Sequence, residues 1–101
     1  MIDHSIKGKT VLIAGGAKNL GGLIARELAG ADAKAVTVHY NTSATKAAAD
    51  ETVAAIKAAG AEAFALQADL TTAGANEKLF TEAKSAMGGI DIAINTVGKV
   101  L

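Results

Sequence analysis

The sequence predicts an α/β chain built on a doubly wound parallel sheet with strands in the order 3-2-1-4. Three observations carry that prediction: four short apolar runs alternate with three helix-periodic segments, the links between them are short, and a glycine-rich turn follows the first run. Strand and helix in strict alternation imply right-handed crossovers, parallel strands, and helices on both faces of the sheet. Strand one then lies inside the sheet, and the chain leaves it in both directions. The crevice between the C-terminal ends of strands one and four becomes the expected ligand site.

Each element has its own justification. Lys9-Thr10-Val11-Leu12-Ile13-Ala14 is a β-rich apolar run that stops at Gly15-Gly16, as a strand buried on both faces should. Leu20, Leu23, Ile24 and Leu28 then recur at helical spacing and predict an apolar stripe, with Asn19 as its N-cap. Ala35 to Tyr40 is the second strand. Asn41-Thr42-Ser43 supplies capping chemistry for an alanine-rich helix that runs to about Ala59 and stops at Gly60. Ala63 to Ala68 forms the third strand, closing on Asp69. A helix from Ala73 to Met87 carries Leu79, Ala83 and Met87 on one face and ends at Gly88-Gly89. Asp91 to Thr96 is the fourth strand, running into Val97-Gly98.

Composition excludes several classes. The chain has 101 residues, enough for one domain at most, and ten Lys+Arg balance ten Asp+Glu. Zero net charge argues against nucleic acid as a partner. With no cysteine there is no disulfide scaffold or thiolate metal site, and a reducing compartment fits. No apolar run approaches the roughly 20 residues that span a bilayer, and Met1-Ile2-Asp3-His4 is not a secretory start, so the chain reads as soluble and cytoplasmic with no membrane partner. Nearly half of the apolar residues are alanine, which points to a shallow, helix-rich core. His4 and His39 have no acidic or cysteine partner at metal-ligand spacing and read as structural or exposed.

The first turn, Ala14-Gly15-Gly16-Ala17-Lys18-Asn19-Leu20-Gly21-Gly22, lies between a strand and a helix, the context in which backbone N–H groups and the helix dipole bind phosphate. A P-loop is excluded because Gly16 and Gly21 are followed by Gly22-Leu23, where Lys and a hydroxyl residue are needed. Gly-x-Gly-x-x-Gly does not fit either. What the turn resembles is the Thr-Gly-x-x-x-Gly-x-Gly motif of the short-chain dehydrogenase/reductase family, read as Ala14, Gly15, Asn19 and Gly21. Ile6-Lys7-Gly8-Lys9 resembles that family's entry into strand one, Asp69-Leu70 its acidic residue at the adenine, and Asn95-Thr96-Val97-Gly98 its Asn-Asn-Ala-Gly at the end of strand four. These matches stand in order over the whole chain.

The resemblance implies a Rossmann-like fold and a cofactor site made by Gly15, Ala17, Lys18, Asn19, Leu20 and Gly21, by Tyr40, Asn41, Thr42 and Ser43, by Asp69 and Leu70, and by Asn95, Thr96, Val97 and Gly98. Two departures keep the geometry: Asn19 and Asp32 stand where the family has glycine, and both residue types tolerate positive φ. Ala14 lacks the motif's hydroxyl, a loss of about 0.5–1.5 kcal/mol in the turn.

Charge selects the cofactor. NAD enzymes end strand two in a carboxylate, whereas Tyr40 holds that place here, between His39 and Asn41. Asp32 precedes a six-residue strand, about 20 Å from the crevice at roughly 3.3 Å per residue. Lys18 stands where NADP-preferring relatives carry a basic residue, and one such ion pair is worth roughly 4 kcal/mol at an effective dielectric near 20, before desolvation. NADP(H) is therefore expected over NAD(H).

The family's catalysis uses a Tyr with a Lys four residues later and a Ser upstream. The one tyrosine here is Tyr40, with Ala44 four residues on, so none of the three can be assigned. The family runs to about 250 residues, and the chain reads as the N-terminal, nucleotide-binding part of one reductase domain, truncated and inactive alone. Strand four becomes an apolar sheet edge that a fifth strand would cover. By resemblance to 3-oxoacyl-thioester and carbonyl reductases, the intact protein interconverts a small-molecule carbonyl and a secondary alcohol as a homo-oligomer, commonly a tetramer. Softened positions Ala14, Asn19 and Thr96 motivate an alternative, a non-catalytic NADP-binding sensor or interaction module. A methyltransferase-like fold fits less well, because it also wants an acid ending strand two.

Overall fold

A computed structural model describes residues 6–15 and 19–96, with Asn19 and Leu20 described in backbone alone. Its elements are β1 (Thr10–Ala14), α1 (Asn19–Gly30), β2 (Ala35–Tyr40), a 3-10 turn (Ser43–Thr45), α2 (Lys46–Ala58), β3 (Glu62–Gln67), α3 (Ala75–Met87) and β4 (Ile92–Asn95). All strands are parallel in the order β3-β2-β1-β4, the predicted topology. Ala14 is level with Asn95 and Tyr40 with Gln67, so every strand delivers its last residue to one edge of the sheet.

Right-handed crossovers divide the helices between the two faces. Alternation along the strands sends Val11, Ile13, Val36, Val38 and Ala63 into one core with Ala25 and Ala29 of α1 and Ala49 and Ile56 of α2. Leu12 and Ala35 point the other way and pack with Leu79, Ala83 and Met87 of α3, the three residues the periodicity selects. β1 is buried throughout because both its faces are covered.

The expected stripe on α1 holds in part: Ile24 and Leu28 are half-buried against the core, and the correction falls on Leu23. Leu23 is 57% exposed, while Gly21, Gly22, Ala25 and Ala29 are buried. Small side chains at the fully buried positions let this helix approach the sheet closely, which a search for large residues passes over.

Boundaries shift for local reasons. Gly74 takes a left-handed conformation (φ 80), so α3 starts at Ala75 rather than Ala73. α1 runs two residues past Leu28, and its stop is a Schellman motif: Ala33 N–H donates to Leu28 O (3.2 Å) and Asp32 N–H to Ala29 O (3.2 Å). Asp32 occupies the left-handed position at φ 70, as its substitution for glycine predicts. The same motif closes α2, where Ala61 N–H reaches Ile56 O and Gly60 N–H reaches Lys57 O. At the start of α2 the expected side-chain caps do not form. Thr42 precedes the 3-10 turn without a side-chain cap, and the Thr45 hydroxyl donates back to Thr42 O (2.9 Å). Asn19 lies inside the helix it was expected to cap.

Among the described residues β4 is an edge strand, with β1 beside it. Ala93 and Asn95 are exposed and Ile92 and Ile94 half-buried, so its apolar composition is covered on one face and not on the other.

Candidate functional site

The four strand ends bring most of the predicted residues to one rim. Gly15 follows β1, Tyr40 ends β2 and Asn41 to Ser43 follow it, Asp69 and Leu70 follow β3, and Asn95 ends β4 with Thr96 after it. Gly21 lies buried in the first turns of α1, below that rim. Ala17, Lys18, Val97 and Gly98 lie outside the described residues, as does His4.

Gly15 leaves the strand at φ 78, a left-handed turn that a side chain would strain. Its N–H donates to His39 Nδ1 at 2.9 Å. His39 is 2% exposed, and its Nε2 lies 2.7 Å from Ala68 O. A backbone N–H can only donate and a carbonyl can only accept, so the ring is neutral, with its proton on Nε2 and its lone pair on Nδ1. Of the two expectations for His39, structural or exposed, the structural one holds, as a bridge joining the exits of three strands.

Asp69 is exposed and forms an Asx turn. Its Oδ1 accepts from the Thr71 hydroxyl (2.6 Å) and the Thr71 N–H (3.0 Å). Those two bonds hold the carboxyl below the usual carboxylate range. It stays ionised at neutral pH, and a carboxylate with several lone pairs can still accept from a further amino group. Tyr40 is half-buried, and Asn41, Thr42 and Ser43 are exposed. Gln67 Nε2 donates to Asn41 O (2.5 Å), which ties the loop after β2 to the end of β3. No carboxylate stands among the four residues after β2, and Asp32 sits at the opposite end of that strand, its carbonyl accepting from Gly8 N–H.

At the fourth strand end, Thr96 donates twice to Ala14 O, from its N–H (3.0 Å) and its hydroxyl (2.7 Å). A cavity of about 220 Å³ opens beside it, lined by Leu12, Ala14, Phe80, Ala93, Ile94 and Asn95. A second, of about 370 Å³, lies where β3 gives way to α3, between Asp69 and Lys78. Among the described residues no cluster of His, Asp or Glu could hold a metal ion, and no helix is long and apolar enough to cross a membrane.

A rim of this kind, made by the C-terminal ends of parallel strands with a glycine turn after the first, defines the doubly wound nucleotide-binding class of α/β proteins. The family described as short chain dehydrogenase matches residues 9–100, and the chain belongs to that family. It is 40% identical over 93 residues to the 3beta-hydroxysteroid dehydrogenase 1 of Eggerthella lenta, covering 92% of this chain and 34% of that protein. A hydroxynaphthalene reductase of Aspergillus fumigatus is also 40% identical over 93 residues, with 92% and 33% covered. Among solved structures, a Burkholderia cenocepacia protein described as a dehydrogenase and crystallised with bound NADP is 70% identical, superimposes with a TM-score of 0.90, and shares 95% of this chain and 36% of its own. A short-chain dehydrogenase of Oenococcus oeni is 38% identical with a TM-score of 0.87, over 98% and 44%. The chain thus spans about a third of the length of the curated relatives it matches.

Sequence reasoning missed the His39 bridge. The signal that could have found it is a histidine on the inward-facing register of a buried strand, one residue before the strand end, where loop amides lack ladder partners.

Proposed function

We propose that the chain is the nucleotide-binding part of an NADP(H)-dependent reductase that interconverts a carbonyl and a secondary alcohol. One observation carries the cofactor choice: the end of β2 offers Tyr40 and the donors Asn41, Thr42 and Ser43, with no carboxylate to repel a 2′-phosphate. The 70% identical Burkholderia cenocepacia protein with bound NADP supports the same reading.

The residues fit the group. Neither Thr42 nor Ser43 spends its side-chain hydroxyl on a described residue, so both remain available to phosphate oxygens. Gly15 with Ala17, Lys18, Asn19, Leu20 and Gly21 would hold the pyrophosphate and the 2′-phosphate, Lys18 supplying the charge. Asp69 would accept from the adenine amino group, with Leu70 beside it, and Asn95, Thr96, Val97 and Gly98 would pass along the adenosine ribose. When bound, the nicotinamide supplies hydride chemistry. This chain's own residues bind and orient it.

In the whole protein the substrate is a small-molecule carbonyl or alcohol, the proton donor comes from outside these 101 residues, and the assembly is a homo-oligomer. The test compares NADP and NAD binding before and after Lys18→Ala. The reading expects the substitution to weaken NADP binding about tenfold while leaving NAD within about twofold, for one charge-assisted phosphate contact. Equal losses for both would contradict it.

A further inference from the structure

We propose that His39 is a positioning residue for the cofactor: its Nδ1 holds the Gly15 amide, where the chain leaves β1, at a fixed place relative to the exit of β3 that leads to Asp69. The inference rests on the nucleotide-binding reading above.

His39 lies on the face of β2 that carries Ala35 and Thr37, all of them buried, where a leucine or valine would bury more apolar surface. Instead the position holds a ring that spends both nitrogens on backbone groups outside the strand ladders, Gly15 N–H and Ala68 O. β1 and β3 are not neighbours. Each flanks β2, which puts them about 10 Å apart at the usual strand spacing, and the imidazole spans that gap from the strand between.

Both ends of the bridge matter. Gly15 is the first residue of the phosphate-binding turn, and Ala68 immediately precedes Asp69. An Ala68 N–H bond to Tyr40 O (3.0 Å) brings the loop after β2 into the same network. A dinucleotide lying across this rim touches all three loops, so its affinity depends on their spacing being set before it arrives. Hydrogen bonds from a locked tautomer set it, because neither contact can be made with donor and acceptor exchanged.

The two halves of the bridge separate by substitution. An asparagine carbonyl sits at the δ position and can keep the Gly15 contact, whereas a glutamine amide sits at the ε position and can keep the Ala68 contact. His39→Asn is expected to bind NADPH within about twofold of the parent, and His39→Gln to bind roughly three- to tenfold more weakly, the worth of one lost hydrogen bond. Gly15 amide hydrogen exchange should remain slow in His39→Asn and quicken in His39→Gln. If His39→Gln binds NADPH as tightly as the parent, or leaves Gly15 exchange unchanged, the inference is overturned. Should His39→Gln fail to fold, the ¹⁵N spectrum of the parent imidazole decides, since a proton on Nδ1 refutes the bridge and an unprotonated Nδ1 upholds it. If the parent binds neither NADPH nor NADH, it is the nucleotide-binding reading that fails, and the exchange and imidazole measurements still decide whether His39 holds the turn.

Discussion

Thr96 donates both its amide and its hydroxyl to the carbonyl of Ala14, at 3.0 Å and 2.7 Å, closing the end of β4 onto the end of β1. Both residues depart from the family's motifs, and the second bond supplies a polar link where Ala14 has no hydroxyl of its own. Thr96→Val removes the hydroxyl bond and should cost about 0.5–1.5 kcal/mol in urea unfolding, while Thr96→Ser retains most of it.

Thr37 is fully buried in β2 and its hydroxyl has no partner among the described residues. An unsatisfied buried hydroxyl costs about 1–3 kcal/mol, and valine has nearly the same shape with a strong preference for strands. Thr37→Val should therefore raise stability by about 1 kcal/mol. A thermal midpoint that falls would show that the hydroxyl does have work in the fold.

Asp32 closes α1 in a left-handed conformation, φ 70, which only glycine adopts without strain. Asp32→Gly should stabilise the chain by about 0.5–1 kcal/mol, the relief being partly offset by the greater freedom of glycine in the unfolded chain. Asp32→Val should destabilise it by more than that, since a β-branched side chain fits this region worst.

The buried face of α1 makes a paired prediction. Leu23→Lys should change stability by less than about 0.5 kcal/mol because the side chain is 57% exposed, whereas Ala25→Leu, at a fully buried alanine, should cost about 1–3 kcal/mol by overpacking. Chemical denaturation of the two variants checks which face meets the sheet.

Asp91 accepts from the Thr10 N–H (2.9 Å) and the Thr10 hydroxyl (3.1 Å), which hold its carboxyl below the usual range. A carboxyl lowered by folding stabilises the native state at pH values above its unfolded value of about 3.9, and that contribution is lost as pH falls through the lower folded value. Asp91→Asn should therefore be less stable than the parent at neutral pH, and the two stabilities should converge as pH falls through the lowered native value. Parallel unfolding curves at all pH values would refute the Asp91–Thr10 link.

Topology was legible because it rests on long-range pattern: four apolar runs, three periodic segments and short links leave one arrangement, and β2 runs from Ala35 to Tyr40 as predicted. Asp32 was legible as well, since few residue types replace glycine at a left-handed stop. Hidden from the sequence was whatever depends on atoms brought together by folding. Leu23 looked like core because periodicity weighs size, yet close packing favoured Gly21, Gly22, Ala25 and Ala29. The capping role of Thr42 is absent because the chain enters a 3-10 turn before α2 begins. The partners of His39 were hidden because they are backbone atoms 24 and 29 residues away.

The central claim is that a dinucleotide bearing a 2′-phosphate binds across this rim. Calorimetric titration of the chain with NADPH and with NADH under the same buffer and salt tests it most directly. NADPH should bind saturably and at least about tenfold tighter than NADH, the worth of one charge-assisted phosphate contact. Equal affinity, or a preference for NADH, would contradict it.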